Sequence, residues 1–144
     1  MVFPQACGLS FSVPRIHKKI PPSLQNIFKE IKNSYSDYQI PSNGCLKRWA
    51  KKEKILLLNS ALTVIEGKSN SHAKLWSNFT DNLIKFISEN NDRTIFLLMG
   101  NFAINKEKLI DNNKHKGVKQ YILHHSVHIE DFLDPTFLRI LTII

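Results

Sequence analysis

Apolar positions along the chain alternate between two patterns. Leu24, Ile27, Phe28 and Ile31 recur at helical spacing behind Pro21-Pro22-Ser23, which predicts an amphipathic helix with Ser23 as N-cap. A Ser-, Tyr-, Pro- and Asn-containing stretch from Asn33 to Gly44 reads as a loop, and a short helix is expected around Leu46 to Lys52. Ile55-Leu56-Leu57-Leu58 and Thr94-Ile95-Phe96-Leu97-Leu98-Met99 are continuous apolar runs, the pattern of strands covered on both faces. A weaker run, Tyr121-Ile122-Leu123, reads the same way. Between the first two runs, Leu75, Trp76, Phe79, Leu83, Ile84 and Ile87 form the stripe of a helix from about His72 to Ser88. A smaller helix is expected from Phe102 to Ile110. Asp134-Pro135 is a cap followed by a first-turn proline, predicting a last helix through Phe137, Ile140, Leu141 and Ile144.

Strand and helix signals in alternation predict a single α/β domain over 1–144, built on a short parallel sheet flanked by helices. In such sheets ligands bind outside the carboxyl ends of strands. That places Asn59, Asn101 and His124, each just past a strand signal, among the candidate functional residues.

Composition adds little to this picture. The formal net charge of +8 favours a polyanion, nucleic acid before an anionic membrane surface. The richness in Lys, Asn and Ile also follows from an AT-rich genome, so charge alone decides nothing. Cys7 and Cys45 form no CxxC pair, and no metal-ligand spacing is present. A reduced, cytoplasmic monomer without a membrane span or signal peptide is the plain expectation.

Longer words carry more information. Gln5-Ala6-Cys7-Gly8-Leu9-Ser10-Phe11-Ser12-Val13 resembles the QAHGLxFSV segment of family 1 uracil-DNA glycosylases. The resemblance continues, collinearly, through Pro21 to Glu30, Asn43-Gly44-Cys45-Leu46, Trp49-Ala50, Leu56 to Asn59, Leu62-Thr63-Val64, Ser71-His72, Trp76, Phe79-Thr80-Asp81 and Phe96 to Gly100. It implies excision of uracil from DNA by hydrolysis of the N-glycosidic bond, without a cofactor, after extrusion of the base at a cost of a few kcal/mol. Carried over residue by residue, Phe11 matches the aromatic that stacks on uracil. Asn59 matches the asparagine whose amide reads the uracil edge. Pro21, Pro22, Ser23, Gly100 and Asn101 match loops that touch DNA phosphates. His124, with His125 as the alternative, matches the histidine that stabilises the departing uracil.

The resemblance also has gaps. Where the family has HPSPLS, this chain has His124-His125-Ser126-Val127-His128-Ile129. Ser126 keeps a DNA-contacting position, but both prolines are gone and His128 stands where a leucine wedges into DNA. The GQDPYH motif, with its water-activating aspartate, belongs before a segment that here begins Met1-Val2-Phe3-Pro4. General-base help contributes about 10²–10⁴ in rate, so a truncated chain is expected to be crippled. Glu130 and Asp131 are the candidate stand-ins, and Asp81 reads as a surface or capping group. The strand preceding that motif lies, in the family, between those matching Ile55–Leu58 and Thr94–Met99, so the sheet is expected to lack it. The alternatives to an active enzyme are a catalytically dead DNA-binding remnant and one piece of a split gene product.

Overall fold

The computed structural model of the chain describes residues 5–120 and 139–143. Helix α1 (Pro22–Ser34) and the short α2 (Lys47–Lys52) precede strand β1 (Ile55–Leu58). Helix α3 (Ala73–Asn90) then leads to β2 (Thr94–Met99). The short α4 (Asn101–Ile104) and a 3-10 turn (Glu107–Leu109) lead to β3 (Lys116–Gln120), and β4 is Arg139–Ile143.

All four strands are parallel, in the order β1-β4-β2-β3. Strand β4 therefore lies inside the sheet. Its Ile140 pairs with Ile55 on one side and Ile95 on the other, and its Ile143 with Leu58 and Leu98. This corrects two expectations. The helix predicted through Ile140 and Leu141 is instead a strand, because Ile-Leu-Thr-Ile is a β-branched run that pairs on both sides. The interior position expected to be missing is filled, by a segment from late in the chain. The strand expected at Tyr121–Leu123 falls outside the described residues. β3 runs through the more polar segment Lys116–Gln120, an edge strand needing fewer apolar side chains.

Period-two alternation divides β1 between two cores. Leu57 joins Leu24, Phe28 and Leu46 beneath α1 and α2, with Phe11, Ile27, Tyr38 and Trp49 packed around them. Leu58 joins Ile84 of α3, Phe96 and Leu98 of β2, Ala103 of α4 and Ile110 on the other face. An edge-on contact between Phe28 and Trp49, 6.0 Å between ring centres, seals α1 to α2. Not all of the predicted α3 stripe faces inward. Ile84 is fully buried, whereas Leu75 and Phe79 are largely exposed. Trp76 instead donates from Nε1 to Thr63 Oγ1 at 2.7 Å, bracing the loop after β1.

Helix α1 starts one residue before the expected cap. Pro21, with φ −56° and ψ 144°, occupies the N-cap, and Pro22 opens the helix. A residue before proline is pushed out of the α region, and proline at the first helical position gives up an N–H that has no partner anyway. Ser23 consequently makes no capping hydrogen bond. The end of α3 is closed by His115, which is buried. Its Nδ1 accepts from the Thr94 N–H at 3.2 Å, and its Nε2 meets the Ser88 carbonyl at 2.8 Å. The Ser88 carbonyl is among the last four of the helix, which have no partner within it.

Candidate functional site

The site assembles at the carboxyl edge of the sheet. There β1 ends and Asn59 follows; β2 ends and Gly100 follows. Because Ile143 pairs with both Leu58 and Leu98, the two exits stand level, with one strand between them. Strands lie about 4.8 Å apart, so the exits are roughly 10 Å from each other. Gly100, with φ 87° and ψ 165°, occupies a region that is essentially glycine's alone. It turns the chain sharply from β2 into α4, leaving Asn101 exposed at the first helical position.

Phe11 is brought to the same edge by a tightly held loop. The Ser10 N–H donates to the Leu57 carbonyl at 3.2 Å, so the loop seals the free side of β1 two residues before Asn59. Val13 N–H donates to the Gly44 carbonyl at 3.0 Å. Ser12 is buried, and its hydroxyl accepts from the Leu46 N–H at 3.0 Å and donates toward the Gly44 carbonyl at 3.5 Å. Gly44 has to be glycine here, since a Cβ would lie 2.7 Å from Val13 Cγ2 and 3.3 Å from Leu24 Cδ2. The same virtual Cβ is 3.5 Å from Pro21 Cδ, so the Pro21-Pro22-Ser23 turn stands alongside the Phe11 loop.

This clamp holds Phe11 at φ 61°. For a bulky aromatic residue that is a true outlier, worth about 1–3 kcal/mol of strain. Such strain persists only where the surroundings over-determine it. Phe11 is half-buried, packed on its inner side against the α1–α2 core.

Asn59 is half-buried, and its amide makes no hydrogen bond to the described residues. The backbone just after it is held from behind. Thr80 of α3, fully buried, places Oγ1 3.1 Å from the carbonyl of Ser60. Asp81, next along α3, forms an ion pair with Lys106 at 2.5 Å, tying α3 to the turn after α4. Ser12, Gly44 and Thr80 thus position the site, although sequence reading singled out none of them. Each lies inside a stretch matched to the family, which was the available signal.

Phe11, Asn59, Gly100 and Asn101 therefore share one edge, with Pro21, Pro22 and Ser23 beside the Phe11 loop. His124, His125, Ser126, Glu130 and Asp131 lie outside the described residues. No group of three or more metal-ligating side chains occurs among the described residues, and no described helix is long and apolar enough to cross a membrane.

No protein-family model matches the chain. Among curated proteins, the uracil-DNA glycosylase of Fusobacterium nucleatum is 50% identical over 118 residues, covering 79% of this chain and 51% of the relative. That of Borrelia turicatae is 54% identical over 112 residues, covering 77% and 49%. The chain thus spans about half the length of the curated relatives it matches. Among solved structures, mimivirus uracil-DNA glycosylase superposes with a TM-score of 0.73 at 34% identity, covering 81% of this chain and 41% of that one. A point variant of mimivirus UNG in complex with UGI gives 0.76 at 33% identity, covering 82% and 43%. In sequence and in fold, the chain is a homologue of the uracil-DNA glycosylases, corresponding to about half of such a protein.

Proposed function

We propose that this chain acts on uracil in DNA, excising the base by hydrolysis of its N-glycosidic bond, as a monomer in a reducing cytoplasm. The observation that carries this reading is Phe11. A strained, clamped aromatic at the same sheet edge as an asparagine amide with no hydrogen bond to the described residues is a costly arrangement for packing alone. It suits a flipped pyrimidine, with Phe11 stacking on the ring and the Asn59 amide offering donor and acceptor to its polar edge. Pro21, Pro22, Ser23, Gly100 and Asn101 then contact the phosphates flanking the extruded nucleotide, through backbone N–H groups and small side chains. His124, or His125 in its place, is assigned the charge on the departing base.

In the reaction, a water oxygen bonds to the sugar carbon as the bond to the base nitrogen breaks. The bonding pair leaves with uracil, and the water proton passes to a base. Asp81 is engaged in an ion pair with Lys106, and the role of base is assigned to Glu130 or Asp131. In a second reading, the chain binds uracil-containing DNA without turnover.

The test is uracil release from single-stranded, uracil-containing DNA, measured beside affinity for the same strand with thymine. Single strands remove most of the flipping cost. Release that disappears with Asn59→Ala supports the enzyme. Uracil-dependent affinity without release supports the binding remnant. Equal affinity for both strands, with no release, overturns both.

A further inference from the structure

The edge of the sheet opposite the candidate pocket has a chemistry of its own. Because all strands are parallel, their amino ends lie together. Each is entered through a basic residue. Lys52 and Lys54 precede β1, Arg93 precedes β2, Lys114 precedes β3, and Lys116 and Arg139 are the first residues of β3 and β4. Lys52, Lys54, Arg93 and Lys114 are exposed.

Two of these cations stand where glycine would be the easier choice. Lys54, just past the C-cap of α2, has φ 55°, and Arg93 has φ 50°. A helix that ends in the left-handed region usually does so on glycine, and an L side chain there costs about 1–2 kcal/mol. A long cation thus stands at two positions despite a backbone penalty. Arg93 is fixed in place by its N–H, which donates to the Lys114 carbonyl at 3.1 Å and joins two of the basic positions.

We propose that this amino edge is a second nucleic-acid contact, a track for the sugar-phosphate backbone that is indifferent to the bases. Four strands span about 14 Å, the rise of roughly four nucleotides of one strand. Acidic groups are present on this side in Glu53, Glu89, Asp92 and Asp111. Glu53 faces Arg48 at 3.8 Å, and Asp111 accepts from the Asn113 N–H at 3.0 Å. None of the exposed large hydrophobic residues falls within 47–54, 91–93 or 111–116. An anionic membrane surface would call for apolar insertion, so the entries of β1, β2 and β3 fit a polyanion in water. The track is independent of the uracil pocket and does not rest on that reading.

The experiment measures affinity of the full chain for uracil-free oligothymidylate across a salt series, with the double variant Lys54→Gly, Arg93→Gly. Glycine is favoured at both backbone angles, so the variant is expected to fold at least as well. The slope of log affinity against log salt should become shallower by about 1.4, as each lost phosphate contact on a single strand contributes about 0.7. An unchanged slope in the glycine variant would overturn the proposal. So would an equal change in the charge-matched control Lys29→Gln, Lys85→Gln, which removes exposed cations from α1 and α3. Retention of the chain by phosphatidylserine vesicles, without oligothymidylate binding, would assign the edge to membranes instead.

Discussion

Replacing Ser12 by alanine tests the link between the loop clamp and the strained aromatic. The substitution removes the oxygen that accepts the Leu46 N–H at 3.0 Å, in a place where both residues are buried. An orphaned buried N–H costs about 1–3 kcal/mol. The second bond, to the Gly44 carbonyl at 3.5 Å, is at the limit of length, and that carbonyl keeps the Val13 N–H at 3.0 Å. The expected loss is therefore about 2 kcal/mol, nearly all from Leu46. The strain at Phe11 is of the same order. With the clamp weakened, Phe11 has more to gain by relaxing to negative φ, which swings its ring off the edge. Urea denaturation should show a lower midpoint with an unchanged slope, the mark of lost stability without altered compactness. Preference for uracil-containing over thymine-containing single strands should fall toward parity. A stability loss below about 0.5 kcal/mol would refute the premise that the hydroxyl is needed by a buried donor. Full stability loss with intact uracil preference would refute the coupling to Phe11.

Phe11→Gly should separate strain from function, since glycine suits φ 61°. Its backbone gain offsets part of the lost packing, yet uracil-dependent affinity should drop about 5- to 150-fold, the equivalent of 1–3 kcal/mol of stacking. His115→Leu leaves the Thr94 N–H and the Ser88 carbonyl without partners. It should cost about 2–4 kcal/mol in chemical denaturation, with hydrogen exchange faster at Thr94. Tyr38 carries a buried hydroxyl without a hydrogen-bond partner among the described residues, and burial raises its pKa above 10.0. A raised native pKa means that stability is complete below the unfolded value and is lost as pH rises through the folded one. Tyr38→Phe should therefore match or exceed the parent at neutral pH. It should also lose less stability than the parent when titrated above pH 10, and an identical alkaline decline would refute the assignment.

How much was legible in the sequence depended on whether a segment's neighbours were local. Ile55–Leu58 and Thr94–Met99 announced themselves as apolar runs and form the strands expected. Arg139–Ile143 has an equally apolar run, but the Asp134-Pro135 signal and the spacing of Ile140 and Leu141 also fit a helix. Only pairing with β1 and β2, distant in sequence, settles it as a strand. Lys116–Gln120 was missed because an edge strand gives little apolar signal. At the site, Phe11 and Asn59 were legible through family words, whereas the supports were not. Ser12 accepts from Leu46 across 34 residues and Thr80 reaches Ser60 across 20. No periodicity within a short window reports such partners.

The interior position of β4 also sets a timetable. A ribosome makes β1, α3, β2 and β3 before it reaches Arg139–Ile143, and none of these other described strands pairs with β1. At about 5–20 residues per second, the emerging chain holds one flank of β1 and one of β2 unpaired for several seconds. Strand edges of this kind recruit other chains, and pairing across so long a loop is slow in itself. The yield of soluble protein should thus depend on the rate of translation through the stretch between β1 and β4, and on chaperones that hold the chain meanwhile. Synonymous codons there, which leave every native contact unchanged, would then alter how much of the protein a cell retains.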